Sequence, residues 1–167
     1  MNIAEFDHLN NNKKRDMLQQ CCGSSLWVDK MMKSLPAEDL IDLWESAEEN
    51  WYALKVEDWK EAFSHHPEIG DISSLREKFA STANLAEKEQ SGVNESSDEV
   101  LQELAEANKN YKEKFGYIFI ISAAGKSGHE ILEALKMRLP NDPSEEINNA
   151  MEEQNKITKL RLEKLFV

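Results

Sequence analysis

The chain has 167 residues, of which 40% are hydrophobic and 31% are charged, and this composition predicts one globular domain with its own core. Its formal net charge of −12 at pH 7 argues against a protein that follows nucleic-acid phosphates, because such a protein carries a basic surface. The charge does not exclude a small anionic substrate, since a pocket can be locally positive on an acidic protein.

Cysteine usage and hydropathy bear on the cellular setting. Cys21 and Cys22 are adjacent and cannot staple distant parts of a fold, which favours a reduced intracellular environment. No stretch approaches the about 18 consecutive apolar residues of a membrane span, and the N-terminal residues lack the apolar core of a signal peptide. We therefore expect a cytoplasmic protein that contacts no membrane.

The first part of the chain reads as four helices. Apolar residues recur at helical spacing, and Gly23 and Pro36 provide stop signals. The predicted helices cover residues 6–23, 26–35, 37–50 and 56–63. All four tryptophans fall in this first part of the chain, and at helical spacing tryptophans more often build a core than a ligand platform.

The fourth helix leads into a His-His-Pro-Glu-Ile-Gly stretch over residues 65–70. Pro67 fixes its own φ and biases His66 away from helical geometry, so the helix should end just before it. An imidazole held on a turn can exchange protons near neutral pH, because its unperturbed pKa lies near ~6.5. The stretch is therefore either an acid–base site or a plain connection between helices.

The second part predicts four more helices, over residues 75–90, 96–115, 127–139 and 142–165. Ser96 with Glu99 and Ser127 with Glu130 have the spacing of capping boxes. Gly116 ends the second of these helices, and Pro143 stands at the first position of the last one.

Residues 117–124 do not fit the helical pattern. They form a nearly continuous apolar run, Tyr-Ile-Phe-Ile-Ile-Ser-Ala-Ala, between two glycines. The run predicts a buried extended segment without a strand partner. Its backbone groups must then bond to a ligand rich in amides, or to loops, side chains and water.

Arg161 interrupts the apolar face of the last helix, in line with Ile157 and Leu165. A guanidinium there is costly unless it is paired. Arg161 therefore either extends its head group to the surface over a packed stem or directs its planar fork at a carboxylate.

The four histidines lack metal-ligand spacing, and no Cys-x-x-Cys motif occurs, so we expect no metal. Glu87, Glu89 and Gln90 precede a Ser-Gly pair, and by pattern alone they favour a solvated face. Cys21 and Cys22 are candidate nucleophiles, but nothing in the sequence predicts a low thiol pKa.

Four stretches in order resemble the family of 2-oxo-4-hydroxy-4-carboxy-5-ureidoimidazoline (OHCU) decarboxylases of urate breakdown. They are His-Pro-Glu-Ile-Gly at 66–70, Glu-Gln-Ser-Gly at 89–92, Tyr-Lys-Glu-Lys-Phe-Gly-Tyr-Ile-Phe-Ile-Ile-Ser-Ala at 111–123, and Lys-Leu-Arg-Leu at 159–162. The resemblance covers essentially the whole chain.

The resemblance implies a cofactor-independent lyase that releases CO2 and forms (S)-allantoin. It implies three catalytic residues, His66 as general acid–base, Glu89 and Arg161. The implied substrate-binding residues are Pro67, Ala86, Glu87, Lys88, Gln90, Phe119, Ile120, Ile121, Ser122 and Ala123. Ala86 is a departure, because the family's Ser-x-x-Glu-Gln motif often begins with serine.

The sequence thus predicts an all-α, single-domain bundle of about eight helices over residues 1–167, with one extended apolar segment near 117–124. The expected partner is a small-molecule substrate, without nucleic acid or membrane, and the resemblance adds a homodimer. The alternative is an acidic helical adaptor without enzymatic activity, which accounts for the charge and the helices but leaves His66 and Arg161 unexplained.

Overall fold

The computed structural model describes residues 1–67 and 97–166, which contain eight α-helices and no strand. The all-α prediction is confirmed. The helices are α1 Ile3–Asp7, α2 Asn11–Cys21, α3 Ser25–Ser34, α4 Leu40–Tyr52, α5 Val56–Ser64, α6 Ser97–Phe115, α7 Gly128–Arg138 and α8 Pro143–Leu165. The predicted helix over residues 75–90 lies outside the described residues.

Short polar side chains start the helices. Asn2, Ser24, Asp39 and Ser127 each accept a hydrogen bond from a backbone N–H of the first turn that follows. Asn10 does the same for Lys13 at 2.9 Å, in extended geometry. The single helix predicted over residues 6–23 is therefore wrong: this cap begins a new helix, α2, after the short α1.

The predicted helix ends are confirmed more closely. Helix α3 stops before Pro36, and α6 stops before Gly116. Gly116 has a φ of +82°, a left-handed conformation that glycine adopts without steric cost. The apolar run that follows it contains neither helix nor strand over residues 118–123.

The chain forms two compact units, residues 1–66 with 147–167 and residues 67–146. In the first unit, Trp27 and Trp51 are fully buried, and their indole N–H groups donate at 3.0 Å to the carbonyl oxygens of Ala47 and Met151. Burying an indole with its N–H satisfied contributes both apolar area and orientation. The core interpretation of these two tryptophans is confirmed.

Cys21 and Cys22 are buried in the same unit, and both are free thiols. Burial raises the pKa of Cys21 to about 12 and that of Cys22 to about 11. Such thiols are not activated, because the thiolate is the nucleophile. The candidate role of these cysteines as nucleophiles is therefore not supported.

The second unit contains a buried ion pair between α7 and the start of α8. Arg138 Nε donates to Glu146 Oε1 at 2.5 Å, and Asn141 Nδ2 donates to Glu146 Oε2 at 3.3 Å. The Glu146 residue is 0% exposed. A carboxylate at such a depth depends on these partners for its charge.

We predict that Arg138→Met lowers the free energy of unfolding by about 3–5 kcal/mol, since it leaves an uncompensated buried carboxylate. The double variant Arg138→Met/Glu146→Leu should recover most of that loss, because it removes both charges. Urea unfolding followed by circular dichroism measures both values. A single variant as stable as the parent would contradict the assigned role of the pair.

We predict that the thiols of the native chain resist an aromatic disulfide reagent at pH 8, where their pKa values leave a thiolate fraction of roughly 10⁻³ or less. The same chain unfolded in guanidinium should release both equivalents within the mixing time of a manual assay. Rapid reaction of one native thiol would show that this region opens or that burial does not raise the pKa.

Candidate active site

The His-Pro turn lies at the end of α5. The N–H groups of His65 and His66 donate at 3.2 Å to the carbonyl oxygens of Ala62 and Phe63, which closes the last turn of the helix. The predicted end of this helix before Pro67 is confirmed. His66 is half-buried, whereas His65 and Pro67 are exposed.

The imidazole of His66 is held by a residue of the last helix. Its Nε2 lies 2.5 Å from Oε1 of Gln154, 88 positions away in sequence. Gln154 is 0% exposed, and its Nε2 donates at 3.2 Å to Oγ1 of Thr158. Because a buried amide needs partners at both ends, this contact fixes the imidazole against the core of its unit.

His65 packs on the turn between α2 and α3. A Cβ atom added to Gly23 would lie 2.5 Å from Cγ of His65, closer than real contacts allow. Glycine at position 23 therefore makes room for the neighbouring imidazole. The two adjacent histidines therefore have different neighbours, since His66 contacts Gln154 and His65 lies against Gly23.

Arg161 is half-buried on α8, in the same unit as His66. Its Nη1 donates at 3.3 Å to the carbonyl oxygens of both Gln20 and Cys21, at the C-terminal end of α2. A cation at this position satisfies carbonyls that the helix leaves unpaired and faces the negative end of its dipole. One edge of the guanidinium is thus used for structure.

The apolar segment after α6 has three carbonyl oxygens bonded within the second unit. Arg138 Nη1 donates to the Ile120 carbonyl at 2.8 Å, and Lys126 Nζ donates to that of Ser122 at 2.8 Å. The Lys126 N–H donates to the Ala123 carbonyl at 3.0 Å. The sequence left open whether a ligand or the protein itself bonds to this backbone. For these three carbonyl oxygens, groups of the protein are the donors.

The guanidinium of Arg138 also lies 4.4 Å from the ring centroid of Phe119. Phe119 and Ile121 are half-buried, and Ile120 and Ser122 are buried. The ion pair with Glu146 therefore orients a cation that holds this segment by both its backbone and its aromatic ring.

The remaining predicted site residues lie outside the described part of the chain. These are Ala86, Glu87, Lys88, Glu89 and Gln90. Among the residues that the structure describes, no cluster of three or more His, Cys, Asp or Glu side chains could hold a metal ion. No helix in the described ranges is long and apolar enough to cross a bilayer.

Sequence reasoning missed Gln154 and Arg138. Gln154 was visible only as a polar residue on the apolar line of the last helix, a position where a buried amide needs partners. Arg138 stands near a helix C-terminus, where basic residues are common and unremarkable. Neither position has a local pattern that points to its distant partner.

A family model described as OHCU decarboxylase matches residues 7–163. A curated relative, the uric acid degradation bifunctional protein TTL of Arabidopsis thaliana, is 42% identical over 152 residues, which are 90% of this chain and 47% of that protein. The chain therefore spans about half the length of this relative.

A second relative matches along its whole length. The 2-oxo-4-hydroxy-4-carboxy-5-ureidoimidazoline decarboxylase of Haloferax volcanii is 23% identical over 167 residues, with 99% of this chain and 96% of that protein covered.

A solved structure, described as OHCU decarboxylase in the presence of (S)-allantoin, is 41% identical and superposes with a TM-score of 0.72. The superposition covers 90% of this chain and 97% of the solved one. The family match, which extends from residue 7 to residue 163, shows that the chain belongs to the OHCU decarboxylase family.

Proposed function

We propose that the chain decarboxylates 2-oxo-4-hydroxy-4-carboxy-5-ureidoimidazoline to (S)-allantoin, a step of urate degradation. The observation that carries the proposal is the 41% identity to the OHCU decarboxylase solved in the presence of (S)-allantoin, over 97% of that chain. Membership of a decarboxylase family does not favour the alternative of a non-enzymatic adaptor.

The chemistry sets what the protein must supply. Breaking the bond to the carboxylate releases CO2 and leaves an electron pair on the ring carbon, where it is spread into the adjacent carbonyl and nitrogen system. The hydroxyl on that carbon then loses its proton and becomes the ring carbonyl of allantoin, and the neighbouring carbon, which carries the ureido group, gains a proton. An enzyme accelerates this step when it stabilises the developing charge and delivers that proton to one face of the ureido-bearing carbon. A positioned proton donor contributes on the order of 10²–10⁴ in rate.

We assign the proton transfer to His66. Its imidazole is half-buried, and its contact with Gln154 restricts the ring to one orientation. A donor of this kind suits a reaction that yields a single enantiomer, because the proton arrives from a fixed direction. Its neighbour Pro67 limits the backbone freedom of the same turn.

Arg161 would supply positive potential for the substrate carboxylate. A guanidinium has five N–H donors, and the two bonds to the end of α2 involve Nη1. The helix end thus anchors the charge while other donors remain for an anion. On an acidic protein of net charge −12, such a local cation matters for binding.

Substrate recognition is assigned to two stretches. Glu89 would orient the substrate's hydroxyl or ureido groups, and Gln90 would bond to the ring. Ala86, Glu87 and Lys88 would also contact the substrate. The backbone from Phe119 to Ala123 would bond to the ureido amides. Because the Ile120 and Ser122 carbonyls accept from cations of the protein, the N–H groups of this segment are the ones assigned to substrate oxygens.

The proposal also includes a single catalytic domain over residues 1–167, assembly as a homodimer, and a cytoplasmic location. We propose that the reaction needs neither metal nor organic cofactor, so that dialysis against a chelator leaves the rate unchanged.

We predict that His66→Ala lowers kcat for allantoin formation by about 10²–10⁴-fold, because it removes the proton donor. The assay generates substrate from urate with urate oxidase and the hydrolase that follows it, and chiral allantoin is read by circular dichroism after subtraction of the spontaneous reaction. His65→Ala is the matched control and should keep its turnover. Unchanged stereospecific turnover in His66→Ala would remove His66 from the mechanism.

We predict that Arg161→Gln raises KM by about tenfold or more, since a charged hydrogen bond contributes roughly 1.5–3 kcal/mol. The melting temperature should also fall, because the end of α2 loses its cation. Arg161→Lys keeps the charge, so its KM and its melting temperature should lie between those of the parent chain and of Arg161→Gln. A lower melting temperature with an unchanged KM would assign Arg161 to structure alone.

A further inference from the structure

A chain of buried hydrogen bonds runs behind His66, within the unit formed by residues 1–66 and 147–167. Gln154 is 0% exposed, and Thr158 is 4% exposed. Gln154 bonds to His66 at one end and to Thr158 at the other, at 2.5 Å and 3.2 Å.

The direction of this chain follows from the contact between Gln154 and Thr158. Nε2 of Gln154 donates at 3.2 Å to Oγ1 of Thr158, so the hydroxyl oxygen is the acceptor in this contact. In a side-chain amide the NH₂ group can only donate and the oxygen can only accept.

The orientation of the Gln154 amide is thereby set. Its NH₂ group faces Thr158, so the oxygen Oε1 faces His66. A carbonyl oxygen 2.5 Å from a ring nitrogen needs a proton between them, because two lone pairs at that distance repel. The neutral imidazole must then carry its proton on Nε2.

We propose that Gln154 is a positioning residue that holds His66 in the Nε2–H tautomer and makes Nδ1 the nitrogen that exchanges a proton with the substrate. The kinetic part of this inference rests on the proposed function of His66, whereas the tautomer itself does not. Thr158 acts through Gln154, because it accepts the amide N–H and so decides which way the amide faces.

The first test is a spectrum of the resting chain without substrate. Two-bond ¹⁵N–¹H correlation of the full-length protein labelled with ¹⁵N-histidine distinguishes a protonated ring nitrogen from an unprotonated one. The pH is raised until the ring signals no longer change, so that the neutral form is observed, and the His66 signals are assigned by their loss in His66→Gln. We expect Nε2 to be protonated and Nδ1 unprotonated. An Nδ1–H tautomer in the parent chain would overturn the proposal.

Two variants of Thr158 then test whether its hydroxyl is the reason why His66 prefers the Nε2–H tautomer. Thr158→Val removes the hydroxyl, so the amide can turn over, and the spectrum should become a mixture of tautomers. Thr158→Ser keeps the hydroxyl and should restore the parental spectrum. If folded Thr158→Val shows the same tautomer as the parent chain, Thr158 does not orient the Gln154 amide and the proposal is overturned.

The kinetic test is Gln154→Leu, which has a similar volume and no polar group. We expect kcat to fall at least about tenfold with little change in KM, because the orientation of the proton donor is lost while substrate contacts remain. An unchanged kcat would overturn the positioning role. If His66→Ala keeps its turnover while the parent chain shows the Nε2–H tautomer, the catalytic assignment of His66 fails. The inference that Gln154 fixes the tautomer of His66 then still holds.

Discussion

The fully buried amide of Gln154 requires a hydrogen-bond partner for its oxygen and another for its nitrogen, and this requirement organises one face of the last helix. The two partners are His66, at the end of α5, and Thr158, one turn further along α8. An amide that lost either partner would pay the cost of desolvation without compensation. The His-Pro turn is thus held against the core by the hydrogen bond between His66 and the buried Gln154 amide. A buried hydrogen bond fixes the positions of its two groups more narrowly than apolar packing does.

A second theme is the use of cations on backbone carbonyls. Arg161 bonds to the end of α2, Arg138 to the carbonyl of Ile120, and Lys126 to that of Ser122. Lys114 likewise donates to the carbonyl oxygens of Leu139 and Asn141, at 2.7 and 3.0 Å. In a chain with 20 basic and 32 acidic residues, these four cations bond to backbone carbonyl oxygens. They hold helix ends and irregular segments, whose carbonyl oxygens lack a partner in a helix or a sheet.

The helices could be predicted from the sequence because their signals are local. Gly23, Pro36 and Gly116 mark ends, and Asp142 with Pro143 marks a start. The break between α1 and α2 was missed because an asparagine cap inside a polar stretch does not disturb the apolar period. The family resemblance pointed to His66 and Arg161, yet the hydrogen bonds that hold them join residues 88 and about 140 positions apart. Which polar residues of an apolar stripe meet which distant groups depends on tertiary packing, and helical phase alone cannot fix it.

The distribution of aromatic residues gives the two units different optical signatures. All four tryptophans, Trp27, Trp44, Trp51 and Trp59, belong to the unit of residues 1–66 and 147–167, whereas residues 67–146 contain tyrosines and no tryptophan. Because Trp27 and Trp51 are buried with their indole N–H groups bonded, their emission is sensitive to the opening of that unit. Indole fluorescence therefore reports on the half of the molecule that carries His66, and a tryptophan introduced between residues 97 and 146 would give the other half a signal of its own.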